Sequence, residues 1–157
     1  MRLTILIMLI SFTCAAQWTK GTSESTRVAY VQGKAAMTDS DVYVAVTDNK
    51  KITFIGFGYF SKYYEGKQEI RICIEKGEVY TCTGESLARL SDQALVANSF
   101  RDKDGNTIAL EYIIDRMRAG TILRVKTYNG VDYNGAKLSL LGSTDAINYV
   151  TNKTKNV

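Results

Sequence analysis

The sequence predicts a mainly β chain: an antiparallel β-sandwich of about seven or eight strands, with two short helices in the C-terminal half. Three observations carry that expectation. Short runs with alternating side chains recur between residues 28 and 141. Turn signals rich in Gly, Asn and Asp separate them. Helical spacing of apolar residues occurs only late in the chain, after residue 110.

The leader comes first. Met1-Arg2 supplies one positive charge, residues 3–12 carry none, and Thr13, Cys14, Ala15 and Ala16 are small. That order describes a secretory signal peptide cut after Ala16, with Ala15 as the alternative. A membrane anchor needs about 20 apolar residues, more than this run offers, so no transmembrane segment is expected in the mature chain. Cys14 stands where a lipidated cysteine could stand, but Phe12 and Thr13 fit such a site poorly. The expected organisation is a signal peptide over residues 1–16, a single β-sandwich domain over 17–150 and a polar tail over 151–157. Roughly 140 residues remain after processing, enough for one core.

Residues 28–31 and 41–47 read as strands, the second with Val42, Val44 and Val46 on one face and Tyr43 and Ala45 on the other. Residues 51–60 read as a strand in which Gly56 and Gly58 mark a bulge or a close backbone approach. Residues 69–75 alternate Ile70, Ile72 and Ile74 against Arg71 and Cys73, and residues 78–83 return as the second arm of a hairpin. Residues 94–101 form another strand, closed by Asp102-Lys103-Asp104-Gly105, whose Asp-Gly favours positive φ. Residues 106–111 return beside it.

Ile113, Ile114 and Met117 sit at helical spacing in residues 112–118, and Gly120 closes that helix. Residues 121–128 alternate again, Asn129-Gly130 punctuates, and residues 136–141 supply the last strand. Ser143 is read as the cap of a terminal helix whose inner face is Ala146, Ile147 and Val150.

Composition excludes several functions. The chain carries 20 Lys and Arg against 16 Asp and Glu, a net +4, and removing Arg2 with the leader lowers it by one. The charges interleave in sequence, as in Asp102-Lys103-Asp104, so no phosphate-tracking stripe and no nucleic-acid partner are expected. Histidine is absent, which removes triads and His-based metal sites. No Gly-x-Ser-x-Gly occurs and no base is at hand to activate a serine. The reading is therefore a non-enzyme with no catalytic residue, no metal and no cofactor. Proline is absent too, for which the sequence offers no physical reason.

Two cysteines survive processing, Cys73 and Cys82, one on each arm of the hairpin in a compartment where thiols oxidise. A turn at Gly77-Glu78 sets them opposite one another, whereas a turn at Lys76-Gly77 sets Cys73 opposite Tyr80; only the first register permits an unstrained disulfide. Tyr59, Lys62, Tyr63 and Tyr64, with Phe60 and Lys67 nearby, are the candidate binding segment, since tyrosine joins apolar area to a polar tip; the competing reading is that this stretch packs in the core. Asp39, Asp41, Asp102 and Asp104 are read as turn formers rather than as metal ligands or paired carboxylates. The sequon Asn152-Lys153-Thr154 matters only in a eukaryotic secretory pathway.

An ordered set of segments resembles the periplasmic type VI secretion accessory family VasI/TagO. The set comprises Thr38-Asp39-Ser40-Asp41 with its strand, Ile70-Arg71-Ile72-Cys73, Val79-Tyr80-Thr81-Cys82-Thr83-Gly84, the turn at 101–105, Leu123-Arg124-Val125, Tyr128-Asn129-Gly130 and Leu138-Ser139-Leu140-Leu141-Gly142 with Asp145-Ala146-Ile147. It spans residues 38–150. The chain departs from that pattern at Ile72, between the arginine and the cysteine, and at Cys82. The closing segment is also similar to the invasion-associated locus B family. The resemblance implies a non-enzymatic periplasmic accessory or binding protein whose partner is an envelope or secretion-machinery protein. The alternative is a periplasmic inhibitor or superinfection-exclusion factor encoded by a phage or mobile element.

Overall fold

The computed structural model describes residues 17–23, 25–56, 68–76, 79–82, 86–91, 94–97, 99–102, 104–128 and 133–152. The leader expected over residues 1–16 and the end of the tail, residues 153–157, lie outside them. Among the described residues twelve strands and two helices follow in chain order. They are β1 (Thr19–Ser23), β2 (Thr26–Lys34), β3 (Asp41–Thr47), β4 (Ile52–Ile55), β5 (Gln68–Lys76), β6 (Val79–Cys82), β7 (Ser86–Ser91), β8 (Ala94–Ala97), β9 (Phe100–Arg101), β10 (Thr107–Ile108), α1 (Leu110–Ala119), β11 (Ile122–Tyr128), β12 (Tyr133–Ser139) and α2 (Ser143–Thr151).

The protein is mainly β and antiparallel with two short helices in its C-terminal half, as the patterning predicts. The strands are more numerous than seven or eight: ten form one sheet, in the order β1-β2-β3-β4-β8-β7-β5-β11-β12 with β6 on β5, and β9 and β10 make a separate ribbon. Two-residue strands and the mixed polarity of β1 and β7 show too few periods for alternation to reveal them.

The sheet is continuous and bends back on itself. One edge of β5 pairs with β11; its other edge is shared, residues 68–70 pairing with β7 and residues 73–76 with β6. On β2, β1 covers residues 26–30. Beyond that point β12 takes over: Ala35 and Ala136 form an antiparallel bridge, and the Ala36 N–H donates to the Gly135 carbonyl at 2.7 Å. The Trp18 indole N–H donates to the Ser139 carbonyl at 3.1 Å, tying the entrance of β1 to the end of β12. Gly33 permits this approach, because a Cβ there would lie 3.1 Å from Leu138 Cγ.

Inside the curl sits one apolar face of the strands, including the alternating sets of residues 42–46 and 70–74. Val42, Val44, Val46, Ile52, Phe54, Ile70, Ile72, Leu95, Leu123, Val125 and Leu138 are buried. Phe54 and Phe100 meet edge to face at 6.4 Å, the arrangement their ring quadrupoles favour. Strand β4 ends at Ile55, and Gly56 turns the chain at φ +83; a Cβ there would sit 2.5 Å from the Asp41 carbonyl oxygen, the close backbone approach read from the sequence. The expected continuation over residues 57–60 lies outside the described residues. The strand expected over 94–101 is split between β8, in the large sheet, and β9, in the ribbon. Of residues 106–111 only β10 is extended, and Leu110 already begins α1.

The helices carry one correction. Helix α1 buries Ile113, Ile114 and Met117 as expected, and Gly120 caps it as expected, at φ −82. Glycine is required there for space, since a Cβ would lie 2.5 Å from Ile74 Cγ2 and 2.8 Å from Leu140 Cδ1. Ser143 is not the cap of α2. The cap position is Gly142, at φ 81, and the buried Ser143 hydroxyl donates to the Met117 carbonyl at 2.8 Å, linking the two helices. The inner face of α2 is Ala146, Ile147 and Val150, packed over β2 and β3.

Candidate functional site

Strands β2, β3 and β4 are apolar on both faces. Ala29, Val31, Val42, Val44, Val46, Ile52 and Phe54 point into the core, so period-two geometry sends Val28, Tyr30, Tyr43, Ala45, Thr53 and Ile55 to the outer face. The ladder sets Tyr30, Ala45 and Thr53 in one row and Gln32, Tyr43 and Ile55 in the next. Ala45, the smallest side chain, stands between the two tyrosines. Their rings meet edge to face at 6.2 Å and 66°, and a concavity of about 650 Å3 opens over this face, lined also by Thr26, Val28, Thr47 and Ile55.

The ends of this face are polar. At one end Lys34 Nζ lies 2.9 Å from Asp41 Oδ1, and Gln32 Nε2 donates to the same oxygen at 2.9 Å. The Lys34 hydrogen bond first, and that of Gln32 second, hold the Asp41 carboxyl below the usual aspartate value, while Asp41 raises Lys34. At the other end the Arg27 backbone N–H donates to Asp48 Oδ2 at 3.1 Å. The groove thus has an apolar floor and hydrogen-bonded ends, and the described lining contains no carboxylate, cysteine or lysine that could act on a substrate.

A smaller cavity of about 320 Å3 lies between Lys50 and the start of α1, with Ser99 and Thr107 on its wall. Lys50 and Glu111 pair across it at 3.2 Å. The Glu111 carboxyl is held down first by its own backbone N–H and then by Lys50, so the two charges satisfy one another.

Of the candidates read from the sequence, Tyr59, Lys62, Tyr63 and Tyr64 lie outside the described residues, as does Cys14. Cys73 is disulfide-bonded. The β5–β6 ladder pairs Lys76 with Val79 and Cys73 with Cys82, not Cys73 with Tyr80; residues 77 and 78 between the strands lie outside the described residues. Asp102 is a turn former: its Oδ1 accepts the backbone N–H groups of Asp104 and Asn106 at 2.9 and 2.8 Å, and its Oδ2 accepts the Asn106 side-chain amide. These bonds, the Asn106 amide first, lower its carboxyl. Asp39 adopts φ 53 in the turn before β3. Among the described residues no cluster of three or more His, Cys, Asp or Glu could hold a metal ion, and no helix is long and apolar enough to cross a membrane.

The residues that sequence reasoning passed over are Tyr30 and Tyr43. Their signal was present: a strand apolar at five successive positions, as in residues 42–46, has two faces to cover. Comparison with protein-family profiles, curated proteins and solved structures finds no match to this chain.

Proposed function

We propose that this chain is a non-enzymatic binding protein, exported by its leader, that engages an envelope or secretion-machinery protein through the outer face of β2, β3 and β4. The observation that carries this reading is the apolar groove, with Tyr30 and Tyr43 flanking Ala45 and polar groups closing both ends. Apolar floors with polar margins, and tyrosines at the centre, are what protein interfaces use. The occupant is an apolar stretch of a protein partner. Export is supported by the leader itself, and a cut after Ala16 keeps Trp18 and β1, which hold the sheet together. The resemblance to the secretion-accessory family supports the class of partner, and the absence of histidine from the whole sequence supports a role outside acid–base catalysis.

The test is a photo-crosslinker at Ile55, identification of the captured protein, and titration of that purified protein. Tyr43→Ser with Ile55→Glu should weaken its binding about tenfold or more while melting within a few degrees of wild type. Equal affinity for the purified partner would overturn the reading.

A further inference from the structure

The lysines and arginines that interleave with acids in the sequence do not stay dispersed in the fold. On β5, β11 and β12 the residues facing the core are Ile70, Ile72, Ile74, Leu123, Val125, Ala136 and Leu138. The opposite face therefore carries Arg71, Cys73 and Glu75 from β5, Ile122, Arg124 and Lys126 from β11, and Lys137 and Ser139 from β12, with the strand positions of Glu69, Tyr128 and Tyr133 at its end. The ladders put Arg71 directly opposite Lys126, and Arg124 directly opposite Lys137. All four are exposed.

Like charges at directly opposed positions repel, and sheets ordinarily set opposite charges there. Two such pairs side by side gather four cations on three adjacent strands. The one described carboxylate on the face, Glu75, is buried and takes a hydrogen bond from Arg124 Nε, so it anchors that guanidinium while the arginine side chain stays 48% exposed. Lys126 and Lys137 form no ion pair with any described residue. The cations run as a diagonal stripe from Arg71 through Lys126 and Arg124 to Lys137. Gly135, beside Lys126 on β12, leaves that corner without a side chain.

We infer that this face of β5, β11 and β12 is a second binding surface, separate from the groove, that docks an extended acidic segment of a protein partner. Charge complementarity selects the class. Spacing selects the shape: Arg124 and Lys126 are two residues apart on one strand, about 6.8 Å, which is the separation of alternate carboxylates in an extended chain. Neighbouring strands place Arg71 and Lys137 about 4.8 Å to either side, where they flank that chain. The directly opposed neighbours of the four cations are one another, Cys73 and Gly135, and a nucleic acid or a bilayer taking the place of the acidic segment is an outcome of the test.

The test uses the purified protein and a fluorescent synthetic peptide of alternating Glu and Ser, with a Gln-for-Glu counterpart, followed by anisotropy at low and physiological salt. The acidic peptide should bind, the Gln peptide should not, and affinity should fall as salt rises. Lys126→Gln with Lys137→Gln should lower affinity about tenfold, whereas Lys50→Gln with Lys51→Gln, on another surface, should leave it unchanged. The Lys126/Lys137 double variant should melt at or above the wild-type temperature, because the opposed charges are gone; loss of binding accompanied by a lower Tm would make these lysines structural and overturn the inference. Equal binding of both peptides, undiminished binding by the double variant, or tighter binding of single-stranded DNA or anionic vesicles than of the acidic peptide would overturn it as well. None of these readouts involves the groove, so this surface can fail while the groove stands.

Discussion

Gly120 illustrates how a single residue is chosen by its neighbours. Its backbone is one that any residue adopts, yet Ile74 Cγ2 occupies the place a methyl group would take. Gly120→Ala should therefore cost about 1–3 kcal/mol through overpacking, read as a lower urea midpoint with unchanged slope. Gly142 reverses the case: nothing lies within 4 Å of its missing Cβ, but φ is +81, so Gly142→Ala should cost about 1 kcal/mol through backbone strain alone. Asp102 makes a prediction in pH. Its folded-state carboxyl is lowered by the Asn106 amide and by backbone N–H groups, so its contribution is fully present above the unfolded value of about 3.9 and is lost as pH falls through the lower folded value. NMR titration should show the Asp102 carboxyl and the Asn106 amide moving together below that value, and a midpoint at the free-aspartate value would refute the turn's role. Residue-level chemistry was legible where it is local: Asp-Gly at 104–105 predicts positive φ, and Gly105 has φ +84. It was not legible at Gly120 or Ser143, whose partners Ile74 and Met117 lie far along the chain.

Among the elements, the β5–β6 hairpin is the clearest case of register deciding chemistry. With Lys76 opposite Val79, Cys73 falls opposite Cys82, and a one-residue slip would have put the two on opposite faces. On that register we propose Cys82 as the disulfide partner of Cys73. Replacing both with alanine should cost about 2 kcal/mol, as expected of a bond closing so short a loop; a thiol count of two in the denatured, unreduced protein would refute the assignment. Hairpin arms and helices were legible because their periods, two and 3.6, repeat within a few residues. The cap of α2 was misread because Ser143 looks like a capping residue from its neighbours, while its hydroxyl is spent on α1. Ser143→Ala should lower stability by about 1–2 kcal/mol, leaving the Met117 carbonyl buried without that donor, and hydrogen exchange should then rise in both helices together.

At the scale of the whole molecule, the N-terminal residues of the predicted mature chain hold the curl shut. Trp18 is 5% exposed and bonds to Ser139, so Trp18→Ala should cost about 3–5 kcal/mol and release β1 and the end of β12 in concert. On the proposed export and cleavage after Ala16, the intact mass should correspond to a start at Gln17; a start beyond Trp18 would be incompatible with this sheet.

What the sequence determined by itself is the set of local decisions: mainly β, antiparallel, two late helices, the two faces of the strands at 41–47 and 69–75, and the want of histidine chemistry. These follow from periodicity and composition, which need no knowledge of distant partners. Only the tertiary structure decided which outward faces meet. Strand order joins β4 to β8 and β5 to β11, pairings between segments tens of residues apart. Through the β5–β11 ladder Arg71 joins Arg124, Lys126 and Lys137 in one stripe, whereas the groove of Tyr30, Tyr43 and Ile55 is built by the consecutive ladders β2–β3 and β3–β4. Neighbours across the β5–β11 ladder are set by long-range register, and no local pattern encodes that.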